Sequence, residues 1–165
     1  MKIAFLTSGG LAPCLSASIA ALLESYKMEN ISAEFSGYLN GYQGLLKGKS
    51  YEFPSQITKN VGMLFSFGGS IIGNSRVKLT NAEDCEKRGL IFPGEKPLEK
   101  AAKQLMKDKI SILHTIGGDD TNTMAAELSH YLYEIGYDLT VVGLPKTVDN
   151  DIVPIVQSLG ADTAA

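Results

Sequence analysis

Apolar residues in this chain follow two spacings. The segments KIAFLT (2–7) and ISILHTI (110–116) are short, near-continuous apolar runs, the pattern of buried strands, and LTVVGL (139–144) reads as the strand that follows them. AEFSGY (33–38) reads as a further short strand. Between them the period changes. Leu15, Ile19, Leu22, Leu23 and Tyr26 recur at helical spacing after Pro13. Leu98, Ala101, Ala102, Leu105 and Met106 mark a second helix, and Ala125, Leu128 and Leu132 a third that stops near Gly136. Strand–helix alternation of this kind predicts an α/β fold, a largely parallel sheet flanked by helices. The span from Tyr51 to Pro97 has no clear period, with glycine-rich FGGSIIGNSR (67–76) and the loop IFPGEKP (91–97) inside it.

A parallel sheet carries its ligands outside the carboxyl ends of its strands. Three polar, glycine- or proline-bearing motifs fall there: TSGGLAPC (7–14), GGDDTNT (117–123) and PKTVDND (145–151). One right-handed βαβ unit brings the last two to the same edge. The chain ends as LGADTAA, a helix start with Asp162 or Thr163 as N-cap. A helix made only of its first turn is not stable alone, so the sequence is expected to be part of a longer protein.

Composition narrows the partners. The chain has 165 residues, 44% hydrophobic and 20% charged, with a formal charge of −3, which gives no electrostatic basis for nucleic acid or an anionic membrane as partner. No apolar run approaches the roughly 20 residues that cross a bilayer. Cys14 and Cys85 show no ligand spacing with His114 or His130, so they read as reduced thiols of a cytoplasmic protein without a zinc site.

In GGDDTNT, Gly117 and Gly118 allow a tight turn close to an anion, and Thr121 or Asn122 is expected to cap the following helix. Adjacent Asp119 and Asp120 repel a bare phosphate, so a divalent cation, Mg2+ by its preference for oxygen, is expected beside them. The plainer reading is a capped turn with acids at a helix N-terminus. In TSGGLAPC, Ser8, Gly9 and Gly10 have the composition of a phosphate cradle, without the P-loop or G-x-G-x-x-G spacing. Arg76 follows residues small enough to let it reach a phosphate, although a lone arginine is also an ordinary surface residue. In PKTVDND, Asp149 suits a general base, Lys146 a phosphate cation, Thr147 a hydroxyl contact and Asp151 a second carboxylate. An Asx-rich turn is the structural alternative.

Taken in order, these motifs resemble the phosphofructokinase family, as do GYLNGYQGLL and GGSIIGNSR between them. The resemblance covers nearly the whole chain, which would be the phosphoryl-donor half, 1–165, of a longer enzyme with an incomplete Rossmann-like large domain. It implies that Asp149 takes the proton from the 1-hydroxyl of fructose 6-phosphate, with Asp151 assisting and Thr147 and Lys146 on the transferring phosphate. Gly10, Tyr42 and Arg76 match donor-side positions, and Asp119 the magnesium carboxylate. Asp120 and Lys146 stand where ATP-using members have glycine. Both resemble the pyrophosphate-dependent members: a carboxylate blocks the α-phosphate and a lysine holds a small diphosphate. Met124, where ATP users tend to have glycine, points the same way.

The pattern also departs from the family. Leu11 and Cys14 replace an aspartate and a glycine of the first loop. Residues that hold the sugar phosphate come from later chain, partly from a neighbouring subunit, so the resemblance implies a homo-oligomer in full-length form. Competing expectations are an ATP-dependent member and a non-catalytic fragment that only binds diphosphate and magnesium. A general dinucleotide-binding domain would require a G-x-G-x-x-G that SGGLAPC lacks.

Overall fold

The computed structural model describes residues 1–164, the side chains of 56, 59, 163 and 164 excepted. The first half runs β1 (Lys2–Thr7), α1 (Leu15–Met28), β2 (Glu34–Tyr38), α2 (Tyr42–Lys47) and β3 (Ser50–Glu52). Short helices follow, α3 (Ser55–Lys59), α4 (Gly62–Phe65) and α5 (Ala82–Lys87). The second half is α6 (Pro97–Asp108), β4 (Ile112–Gly117), α7 (Asp119–Glu134), β5 (Thr140–Pro145) and α8 (Ala161–Ala164).

The strands form one sheet in the order β3-β2-β1-β4-β5. All pairs are parallel except β2 with β3. The expected α/β class is therefore observed, with an antiparallel edge strand that the apolar pattern did not signal. β3 is exposed along its length, so it carries no alternation to read. The order of strand addition reverses at β1: β2 lies on one side of it and β4 on the other. That is a topological switch point, where the loops after two neighbouring strands diverge and leave a crevice.

Two-residue periodicity in β1 divides the core. Ile3 and Phe5 join Leu15, Ile19 and Leu23 of α1 and Leu64 of α4 on one face. Ala4 and Leu6 join Tyr42 of α2, Ala101 and Leu105 of α6, and Leu128 and Leu132 of α7 on the other. Helices thus cover both faces of the sheet, and β1, 0% exposed from Ile3 to Leu6, is fixed at its centre. Its carboxyl end is a rigid base for the loop that follows.

Two predicted helix starts move. The helix after GGDD begins at Asp119 with Gly118 as N-cap, so Thr121 and Asn122 lie inside its first turn rather than ahead of it. Asn122 Nδ2 instead donates back to the carbonyls of Gly117 and Gly118, at 2.9 Å each. The last helix begins at Ala161, which puts Asp162 in its first turn; capping by the Thr163 side chain lies outside the described residues.

Candidate active site

The TSGG loop and the GGDD turn meet because glycine permits it. Ser8 N–H donates to the Ile116 carbonyl at 3.0 Å. Any side chain on Gly117 would overlap the Ser8 carbonyl and stand 2.5 Å from Thr121 Oγ1. Gly9 has φ +88°, in the left-handed region open to glycine. On the other side, Lys146 N–H donates to the Gly117 carbonyl at 2.8 Å. All three motifs therefore converge at the carboxyl ends of β1, β4 and β5.

The segment 68–79 lies across this edge as a strap. Thr7 Oγ1 donates to the Gly73 carbonyl at 2.6 Å, and Ser8 pairs with Ser75. Asn74 Nδ2 donates to the Gly9 carbonyl at 2.7 Å, and Ser16 Oγ to Gly69 at 2.7 Å. Short polar side chains of β1, its loop and α1 thus order a stretch that has no periodicity of its own. Beyond Ser75 the strap is extended, with Val77 and Leu79 buried and Arg76 and Lys78 exposed. Leu79 N–H donates to Met124 Sδ at 3.0 Å, tying its far end to α7.

Between the first loop, the strap and the start of α7 is a cleft of about 240 Å³. Gly9, Gly10, Arg76 and Lys78 line one side, and Gly118, Asp119, Asp120 and Met124 the other. Gly118 supplies no side-chain cap, so the first-turn N–H groups of the 16-residue α7 are left for a ligand. The buried Thr121 Oγ1, without a hydrogen-bond partner among the described residues, faces Gly9. A larger hollow of about 380 Å³ lies around Lys2, Glu34 and Asp108 at the amino-terminal side of the sheet. It contains none of the glycine motifs, and the smaller cleft at the switch point is the better site.

Lys146 is 4% exposed, and its Nζ would stand 3.4 Å from a Cβ on Gly10. It has no ion-pair partner within 4 Å among the described residues. Burial pushes its pKa down; the Arg76 guanidinium adds to this, and Asp149 opposes it. A desolvated ammonium facing a glycine is arranged for an anion supplied from outside. Burial also raises the Cys14 thiol, so no thiolate is stored beside the lysine.

Beyond Lys146 the chain folds on itself. Thr147 Oγ1 donates to Asp151 Oδ1 at 3.2 Å and accepts from Asp149 N–H at 3.2 Å. Asn150, at φ +53°, accepts from Ser158 N–H at 2.8 Å and donates to the Val156 carbonyl at 3.1 Å. Ser158 Oγ closes the loop on the Thr147 carbonyl at 2.8 Å. Asp149 and Asp151 are left exposed at its rim.

A family pattern described as phosphofructokinase matches residues 2–165. The chain belongs to the phosphofructokinase family. It is 59% identical over 164 residues to a pyrophosphate–fructose 6-phosphate 1-phosphotransferase of Methylomonas methanica, covering 99% of this chain and 40% of that protein. It is 38% identical over 162 residues to an ATP-dependent 6-phosphofructokinase of Thermotoga neapolitana, covering 98% of this chain and 44% of that protein. Among solved structures, Pichia pastoris phosphofructokinase in the T-state superposes with a TM-score of 0.76 at 29% identity, over 97% of this chain and 16% of that one. This phosphofructokinase chain therefore spans about two fifths of the length of the curated relatives it matches.

Of the expected site residues, the fold gathers Gly10, Arg76, Asp119 and Asp120 around the cleft, with Lys146 against Gly10. Thr147, Asp149 and Asp151 share the adjoining loop. Tyr42 does not line the cleft: it is 0% exposed, part of the core, and its hydroxyl donates to the Thr121 carbonyl in the first turn of α7 at 2.9 Å. Lys78 was not anticipated; its Nζ meets Asp120 Oδ2 at 2.5 Å. The alternation of buried Val77 and Leu79 with exposed Arg76 and Lys78 was the signal available for it.

Proposed function

We propose that this chain is the phosphoryl-donor half of a pyrophosphate-dependent phosphofructokinase. In full length it would transfer phosphate reversibly from pyrophosphate to the 1-hydroxyl of fructose 6-phosphate, giving fructose 1,6-bisphosphate. The observation that carries the donor assignment is Lys146: a buried cation without an ion-pair partner among the described residues, packed against Gly10 at the switch point. A lysine there supplies charge for a diphosphate that has no adenosine to anchor it. Identity supports the same donor, since the relative named for pyrophosphate is at 59% and that named for ATP at 38%.

The residues divide the work. Gly9 and Gly10 let the loop backbone approach the diphosphate, while the free N–H groups of α7 and the Arg76 guanidinium bind its oxygens. Asp149 accepts the proton of the attacking hydroxyl as the new oxygen–phosphorus bond forms. Thr147 and Asp151 hold the loop that carries Asp149, and Lys146 neutralises charge on the phosphate in transfer. Asp119, exposed and with no protein partner among the described residues, fits magnesium, which commonly takes one or two carboxylates together with phosphate oxygens. Bound there, the metal supplies charge neutralisation to the phosphates. Glycolytic use in the cytoplasm, and a homo-oligomer completing the sugar-phosphate site, belong to the same proposal.

The test is the pair Asp120→Gly with Lys146→Gly in the full-length protein. Pyrophosphate kcat/KM is expected to fall by about 10²-fold or more, the scale of removing a preorganised electrostatic contact, while ATP turnover appears. Unchanged pyrophosphate kinetics would overturn the donor assignment.

A further inference from the structure

Asp120 raises an electrostatic problem under the proposed function, on which this inference rests. A bare carboxylate that rejects the extra phosphate of a nucleotide would also repel the pyrophosphate it has to admit. The structure contains a solution. Lys78 extends from the strap and pairs with Asp120 Oδ2 at 2.5 Å, across the mouth of the cleft that both residues line. Its position is fixed at both ends of the extended segment, by the Ser8–Ser75 bridge before it and the Leu79–Met124 Sδ contact after it. Buried Val77 and Leu79 hold the register that turns Lys78 toward α7.

We infer that Lys78 is a positioning and specificity-determining residue, which pairs with Asp120 to close the outer end of the donor site with a neutral bridge. Exclusion of a nucleotide then comes from occupied volume rather than from net negative charge, and pyrophosphate meets no repulsion at the entrance. Both side chains are about half exposed, 46% and 59%, so the pair contributes little to stability and its effect belongs in donor binding.

The experiment is donor kinetics on the full-length protein with Lys78→Met, Lys78→Arg, Asp120→Asn and the Lys78→Met/Asp120→Asn double variant. Lys78→Met leaves Asp120 uncompensated, and the KM for pyrophosphate is expected to rise about three- to tenfold with kcat within about twofold. That rise shrinks with added salt, since the exposed carboxylate is screened. Lys78→Arg keeps the charge and retains a near-parental KM. The double variant removes both charges and returns KM close to the parental value. A Lys78→Met enzyme with unchanged KM, or a double variant as impaired as Lys78→Met, would overturn the inference while leaving the donor assignment standing. A parental enzyme that uses ATP and not pyrophosphate would overturn both.

Discussion

Lys146 and Asp149 are three residues apart in sequence but differ sharply in environment: the lysine is 4% exposed and the aspartate lies at the surface. A cation needs burial to act strongly on a phosphate, whereas a base must reach a hydroxyl on a second substrate. Asp149→Asn in the full-length protein is expected to lower kcat by about 10²- to 10⁴-fold with a small change in the pyrophosphate KM. Steady-state kinetics in both substrates would check it, and a variant within a few-fold of parental kcat would exclude Asp149 as the base. His114 makes a separate prediction, on stability. It stacks on Phe5 with ring centroids 5.3 Å apart, and Nε2 meets the Tyr26 hydroxyl at 2.8 Å. Burial pushes its pKa down to about 4. The folded chain then holds this imidazole neutral while the unfolded chain protonates it near pH 6.5, so its full contribution is present above that value. Stability is lost as pH falls from about 6.5 to about 4, by on the order of 2–3 kcal/mol. Denaturant unfolding at pH 7 and pH 5 should show that slope in the parent and a flatter one in His114→Gln.

At the scale of elements, the donor site depends on close contact between the β1 loop and the first turn of α7. Gly117→Ala would drive a methyl group into the Ser8 carbonyl and Thr121 Oγ1. Backbone lies on one side and a buried side chain on the other, so the two elements must separate. The expected loss is about 1–3 kcal/mol of stability, with a raised donor KM, measurable by urea unfolding and kinetics. What the sequence disclosed at this scale follows from period. β1, α1, β4, α7 and β5 each carry enough regular apolar spacing to be read alone, and the three motifs at their ends were legible with them. The stretch from Tyr51 to Pro97 was not. Its helices run only four to six residues, too few to establish a period. Its strap is ordered by hydrogen bonds to Thr7, Ser8 and Ser16 from a distant part of the chain. Tyr42, expected on the donor side from the family resemblance, shows no apolar period that would have revealed its burial or the bond of its hydroxyl to the Thr121 carbonyl.

Across the whole molecule, the proposed donor cleft lies within these residues, and the proposal assigns the cations near it, Arg76, Lys78 and Lys146, to the donor side. The sugar phosphate needs positive charge of its own, and the chain spans about two fifths of its curated relatives. The 165-residue chain alone is therefore expected to give no fructose 6-phosphate turnover at any accessible concentration, checked by coupled detection of the bisphosphate. Measurable turnover would mean that the acceptor site is also complete within it. The donor claim is tested most directly on the full-length protein, by comparing kcat/KM for pyrophosphate and for ATP at saturating fructose 6-phosphate and magnesium. Pyrophosphate is expected to exceed ATP by at least about 10²-fold, the discrimination available to a site built around a buried charge. Turnover with ATP alone would contradict the roles given to Lys146 and Asp120.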